Sequence, residues 1–154
     1  MTEINKNEKL LRKKSKKVKK INNDINDLVL EMSKAMEEND GIGLAACQIG
    51  EFKRVFIIRK EEGFDVFINP AILKKSKEKI EIEEGCLSVP NCLIKIKRPK
   101  EVKIKALNLK GEEIILNLKG IEARVFQHEL DHLNGILIKD RIPFIKKIKN
   151  CLLR

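Results

Sequence analysis

The only two histidines of the chain stand four residues apart, in His128-Glu129-Leu130-Asp131-His132. Positions i and i+4 of an α-helix share one face, so both imidazoles can reach a single metal ion. Glu129 falls just beside the pair, placed to take a proton from water held there. The flanking sequence supports a helix, because Gly120 precedes IEARVFQHELDHLN and Gly135 follows it, bounding about four turns. The pair constrains the fold, since a catalytic metal site usually has three protein ligands and two histidines do not complete it.

The missing ligand has few places to come from. A metzincin has another histidine six residues beyond the second, and here that position is Ile138. Other HExxH proteases take a glutamate well downstream, but only 22 residues remain, with Asp140 and no Glu among them. The third ligand is therefore expected upstream, and the best candidate is Cys86, in Glu83-Glu84-Gly85-Cys86-Leu87-Ser88-Val89-Pro90. A thiolate suits Zn or Fe(II), and Gly85 lets the backbone approach closely. Taken singly, Cys86 reads as a small buried hydrophobe and the histidines as surface groups on a charged helix. A Cys/His/His site with an open fourth position accounts for all three together.

Residues 41–50, GIGLAACQIG, carry no charge in a chain that is 36% charged, and their one strongly polar side chain is the Gln48 amide. They follow a predicted amphipathic helix over 22–39, in which Ile25, Leu28, Val29, Met32, Ala35 and Met36 recur at helical spacing. Asn22, Asn23 and Asp24 offer its N-cap, and Asn39-Asp40-Gly41 stops it. Strand patterns fill 54–60, 65–70, 78–85, 93–99, 101–109 and 112–118, with breaks at Glu61-Glu62-Gly63 and Lys110-Gly111. ILIKD, residues 136–140, reads as a short strand, and the basic tail IPFIKKIKNCLLR as a short amphipathic helix. The expected fold class is α+β, with antiparallel or mixed strands around the HExxH helix, an N-terminal helix and a short C-terminal helix.

At 154 residues the chain is expected to form one domain, 1–154, with its own core. A content of 42% hydrophobic residues describes a globular protein. No apolar run approaches the roughly 20 residues of a membrane span. The N-terminus MTEINKNEKLLRKK lacks the apolar centre of a signal peptide, so a cytoplasmic location is expected, with Cys47, Cys86, Cys92 and Cys151 reduced. The net charge of +10 is concentrated at the ends, +7 in residues 1–20 and +5 in 139–154. That asymmetry reads either as a solvated surface or as attraction to a polyanion such as ribosomal RNA. With few aromatics and no RNA-binding signature, sequence-specific nucleic-acid recognition is not expected.

GIGLAACQ, EEGCLSVP and QHELDHLNG resemble the three signature motifs of the peptide deformylases, in the family's order and approximate spacing. The resemblance covers nearly the whole chain and includes LLRKKSKKV, FINP and GIEARV. It implies hydrolytic removal of the formyl group from the N-terminal formylmethionine of nascent peptides. Carried over, Cys86, His128 and His132 would hold one divalent metal, Fe(2+) natively, with Ni, Co or Zn as substitutes. Glu129 would be the general acid/base. The Gln48 amide and the Leu87 backbone N–H would stabilise the oxyanion, where a neutral donor does not compete with the metal. Gly43 would let the loop pass close to the substrate backbone, and Ile42, Ile121 and Val125 would line the methionine pocket, although each could be plain core.

Cys47 stands where the family often has Pro, Thr or Asn, and the usual Gly-Asp-Pro before LLRKK is missing, so the first strand is expected to be short or irregular. In some relatives a basic C-terminal helix docks on the ribosome, which makes the C-terminal residues here a candidate contact. Two rival readings remain: another metal-dependent amide hydrolase, and a basic ribosome-associated protein with a structural metal closed by Cys47 as fourth ligand.

Overall fold

The computed structural model describes residues 3–142. A short helix, α1 (Glu8–Leu11), leads into the long helix α2 (Asn23–Glu38). β1 (Gly43–Ala45) and a 3-10 turn (Ala46–Ile49) follow. Six more strands come next: β2 (Val55–Arg59), β3 (Phe64–Lys75), β4 (Lys79–Cys86), β5 (Val89–Pro99), β6 (Glu101–Leu107) and β7 (Glu113–Lys119). They run into the helix α3 (Gly120–Leu133), and a 3-10 turn at Ile138–Arg141 ends the described chain. The strands form an antiparallel five-stranded sheet, ordered β1-β2-β3-β6-β7, and a separate β4–β5 hairpin.

Strand alternation explains how one sheet serves two helices. Along β2, Phe56 and Ile58 face α3, while Val55 and Ile57 face α2. On the α3 side Phe56, Phe67 and Phe126 pack with ring centroids 5.0–5.2 Å apart. On the α2 side the six apolar residues expected from helical spacing are all buried. The fold is therefore α+β with the HExxH helix packed on the sheet, as the sequence predicts.

Three expectations need correcting. The uncharged loop contains an edge strand, β1, whose three residues pair with Ile58, Ile57 and Phe56 and are too few to show alternation. Residues 136–140 are not a strand. Ile138 is buried against Ile94 and Ile96, and the Asp140 carboxylate accepts from the Leu137 N–H at 2.9 Å, which closes a 3-10 turn instead. Cys92 is disulfide-bonded, against the expectation of reduced thiols, whereas Cys47 and Cys86 are free. Before β1 the described residues form no strand, only a single bridge between Lys16 and Lys53. The expected C-terminal helix lies outside the described residues, as does Cys151.

Candidate metal centre and active site

The hairpin and α3 build the site between them. β4 ends at Cys86, which pairs with Val89 across a two-residue tip formed by Leu87 and Ser88. Gly120, with φ of +56°, takes the left-handed conformation that turns β7 directly into α3. One turn apart on α3, His128 and His132 bring their rings to a centroid separation of 5.0 Å. Cys86 Sγ lies 3.2 Å from His132 Nε2, and one donor atom from each of Cys86, His128 and His132 falls within 4.8 Å of the others. Bonds of about 2.0–2.3 Å from one ion span that spacing, and a thiolate with two imidazoles suits a divalent transition metal.

Behind the histidines lies a buried ion network that motif reading did not reveal. Glu84 accepts from His128 Nδ1 at 3.0 Å, which leaves the other ring nitrogen for the metal position. The same carboxylate accepts from Arg98 at 2.6 and 3.0 Å and from Arg124 at 2.6 Å. Arg98 reaches on to Asp131 at 2.8 Å, and Arg141 closes the network on Asp131. Burial alone would raise the Glu84 pKa. Hydrogen bonds from His128 and Arg98, with their charge, instead pull it down to about 2. A signal was present in the sequence: Glu84 shares its strand face with Ile80 and Ile82, and Asp131 stands one turn from His128 on α3.

Glu129 is 4% exposed, and burial pushes its pKa up to about 7 despite the nearby His128 and Arg98 charges. Its Oε2 has no hydrogen-bond partner among the described residues. Burial also opposes a proton on His128, but hydrogen bonds to Cys86 and Glu84 raise it to about 10. His132 is shifted the other way, lowered by burial and by the charge of His128 and Arg98. Gln48 is fixed at both ends of its amide. Its Oε1 accepts from Ala45 N–H at 2.9 Å, and its Nε2 donates to Ser88 Oγ at 3.2 Å, 3.8 Å from Cys86 Sγ.

A cavity of about 810 Å³ opens over these groups and is bordered by Gln48, Leu87 and Glu129. Ile42 and Ile121 stand at its mouth with 55% and 61% of their surface exposed, while Val125 is buried beneath. A Cβ on Gly43 would come 2.6 Å from Glu129 Oε1 and 2.7 Å from Val125 Cγ1, so any larger residue there would displace the Glu129 carboxylate and Val125. All four sequence-selected pocket residues thus border one cavity. Leu93 and Ile82 of the hairpin add an exposed apolar wall that the sequence reading missed.

Cys47 does not join the donor cluster. It is fully buried between the sheet and α3, its Sγ donates to the His132 carbonyl at 3.6 Å, and burial raises its pKa to about 12. The structural-metal reading therefore loses its fourth ligand.

A three-donor cluster facing a cavity, with a buried carboxylate beside it, is the arrangement of a metal-assisted hydrolase. The profile of the polypeptide deformylase family matches residues 1–148. Peptide deformylase 1 of Clostridium acetobutylicum is 47% identical over 135 residues, spanning 88% of this chain and 89% of that protein. The peptide deformylase of Thermotoga neapolitana is 45% identical over 145 residues, 94% of this chain and 87% of that one. The crystal structure of the Thermotoga maritima enzyme superposes with a TM-score of 0.89 at 42% identity, covering 93% of this chain and 98% of that one. The chain belongs to the polypeptide deformylase family and is a hydrolase that removes the formyl group from N-terminal formylmethionine.

Proposed function

We propose that Cys86, His128 and His132 hold one divalent metal ion, Fe(2+) in the cell with Ni, Co or Zn as substitutes, and that the surrounding side chains run deformylation. The supporting observation is Glu129 Oε2, which has no hydrogen-bond partner among the described residues and whose side chain borders the same cavity as Cys86 and His128. When bound, the ion supplies Lewis acidity that makes water a usable nucleophile near neutral pH. Glu129 takes the proton from the attacking water and passes it to the departing amine. Gln48 Nε2 and the Leu87 N–H donate to the oxygen of the formyl group as negative charge grows on it. Both donors are neutral, so neither competes with the cation.

Ile42, Ile121 and Val125 receive the methionine side chain, and Gly43 lets the peptide backbone approach Glu129. Glu84 holds the His128 ring in the tautomer a ligand needs. The substrate class is the nascent N-formylmethionyl peptide, and the chain acts as one catalytic domain in the cytoplasm. No helix among the described residues is long and apolar enough to cross a membrane. The basic residues 139–154 support contact with the ribosome, which deletion of residues 143–154 tests through co-sedimentation. Unchanged co-sedimentation would remove that contact.

The reaction itself is tested by formate release from a formyl-Met tripeptide, with anaerobically prepared protein loaded with Fe(II) or Ni(II). Turnover of the formyl peptide but not of its acetyl counterpart is expected. Equal turnover of both would point to a broader amide hydrolase.

A further inference from the structure

We propose that the N-terminal segment 3–7 is a clamp on the turn that carries Gln48, with Asn5 as its positioning residue. The proposal rests on the reading of Gln48 as an oxyanion donor.

Gln48 sits in a four-residue 3-10 turn, a conformation with weaker hydrogen bonds than an α-helix. The strand leading into that turn is a three-residue edge strand. The Asn5 N–H donates to the Gln48 carbonyl at 2.7 Å, and the Asn5 side-chain amide reaches the Cys47 carbonyl at 3.5 Å. Ile4 anchors the contact, 6% exposed and packed in the cluster that holds Met36 and Ala46. Further along, Asn7 caps α1, Arg12 pairs with Asp140 at 2.8 Å, and the Ser15 N–H donates to the Leu133 carbonyl at the end of α3.

Residues 4–15 therefore run from the Gln48 turn, held by Asn5, to the far end of the metal-binding helix, held by Ser15. Glu3, Ile4 and Lys6 border the same cavity as Gln48 and Glu129. The amide of Gln48 is aimed by three contacts, to Ala45, Ser88 and Cys86, and it keeps that aim only while its turn stays in place. Asn5 supplies the restraint from outside the turn.

The test uses metal-loaded full-length protein and a formyl-Met tripeptide, with kcat expressed per bound metal. Asn5→Pro removes the N–H donor, Ile4→Ala removes the anchor, and Ile4→Val restores most of it. Asn5→Pro and Ile4→Ala should each lower kcat by about 10- to 100-fold, as a misplaced catalytic group does, with KM within about twofold. Ile4→Val should stay within about threefold of the parent. Metal stoichiometry and the cobalt–thiolate absorption band of the Co(II) form should not change.

In a Gln48→Ala background, Asn5→Pro should cost little more, because its effect runs through Gln48. An equal loss from Asn5→Pro in both backgrounds would overturn the clamp. So would a loss that tracks metal content, a rise in KM alone, or no change in kcat. If Gln48→Ala itself left kcat intact, the reading of Gln48 would fail first, and that result is distinct from failure of the clamp.

Discussion

α2 and α3 pack on opposite faces of one sheet, yet what they bury differs in kind. α2 turns six apolar side chains inward with a single polar one, Ser33, whose hydroxyl is satisfied by the Leu30 carbonyl. α3 buries Arg124, Gln127, Glu129, Asp131 and His132 among its apolar residues. Burying a large apolar side chain is worth roughly 1.5–3 kcal/mol, whereas a buried ion pair about breaks even against its desolvation. A helix selected for stability alone would resemble α2. The polar burial of α3 supports a site, and the two helices should respond to mutation in different ways.

The largest expected effect comes from cutting a proposed ligand. His132→Ala should abolish stoichiometric metal uptake and, with it, formate release, while the far-ultraviolet circular dichroism keeps its parent shape. Retained tight binding by equilibrium dialysis would place the ion elsewhere.

Glu84→Gln should come next. It leaves Arg124 buried without its carboxylate and Arg98 with Asp131 alone, at a cost of about 3–5 kcal/mol in urea unfolding. It should also weaken metal binding roughly 10- to 100-fold in a chelator competition, since His128 loses its orienting partner. On α2 only the first of these responses should appear. Met32→Ala, at a fully buried position, should cost about 2–5 kcal/mol of stability with kcat per bound metal unchanged. A fall in that kcat would mean the α2 face also serves the chemistry.

The smallest effect lies at the surface. Hydrogen bonds from Lys139 and Arg12 hold the Glu8 pKa below its ordinary value. Because the folded value is the lower one, the group's contribution is present above the unfolded carboxylate value and lost as pH falls through the folded value. It is an exposed cluster, so comparing Glu8→Gln with the parent across acid pH should give a difference within about 1 kcal/mol that shrinks in salt.

Much of this contrast is legible in the sequence. Period-3.6 burial picked out the inner face of α2, and the i, i+4 histidines with an upstream cysteine picked out side chains that the fold brings together. The uncharged stretch 41–50 borders the cavity, as a dry loop would. The ion network was hidden because its members come from β4, β5, α3 and the turn after it, and the β4–β5 register pairs Arg98 with Ile80 and Glu84 with Ile94, so the two side chains meet only by reaching along the hairpin. β1 was hidden by its length. The 3-10 turn after α3 was hidden because Leu137 and Ile138 suit a strand as well as they suit a buried turn, and the Asp140 contact decides between them.

The polar face of α3 is tested most directly by measuring metal content and formate release on the same samples of Glu129→Gln. One metal per chain should remain, with an unaltered Co(II) spectrum, while turnover falls by roughly 10²- to 10⁴-fold through loss of the proton carrier. Turnover close to that of the parent, with metal retained, would contradict the account, because the buried carboxylate would then have no part in the chemistry.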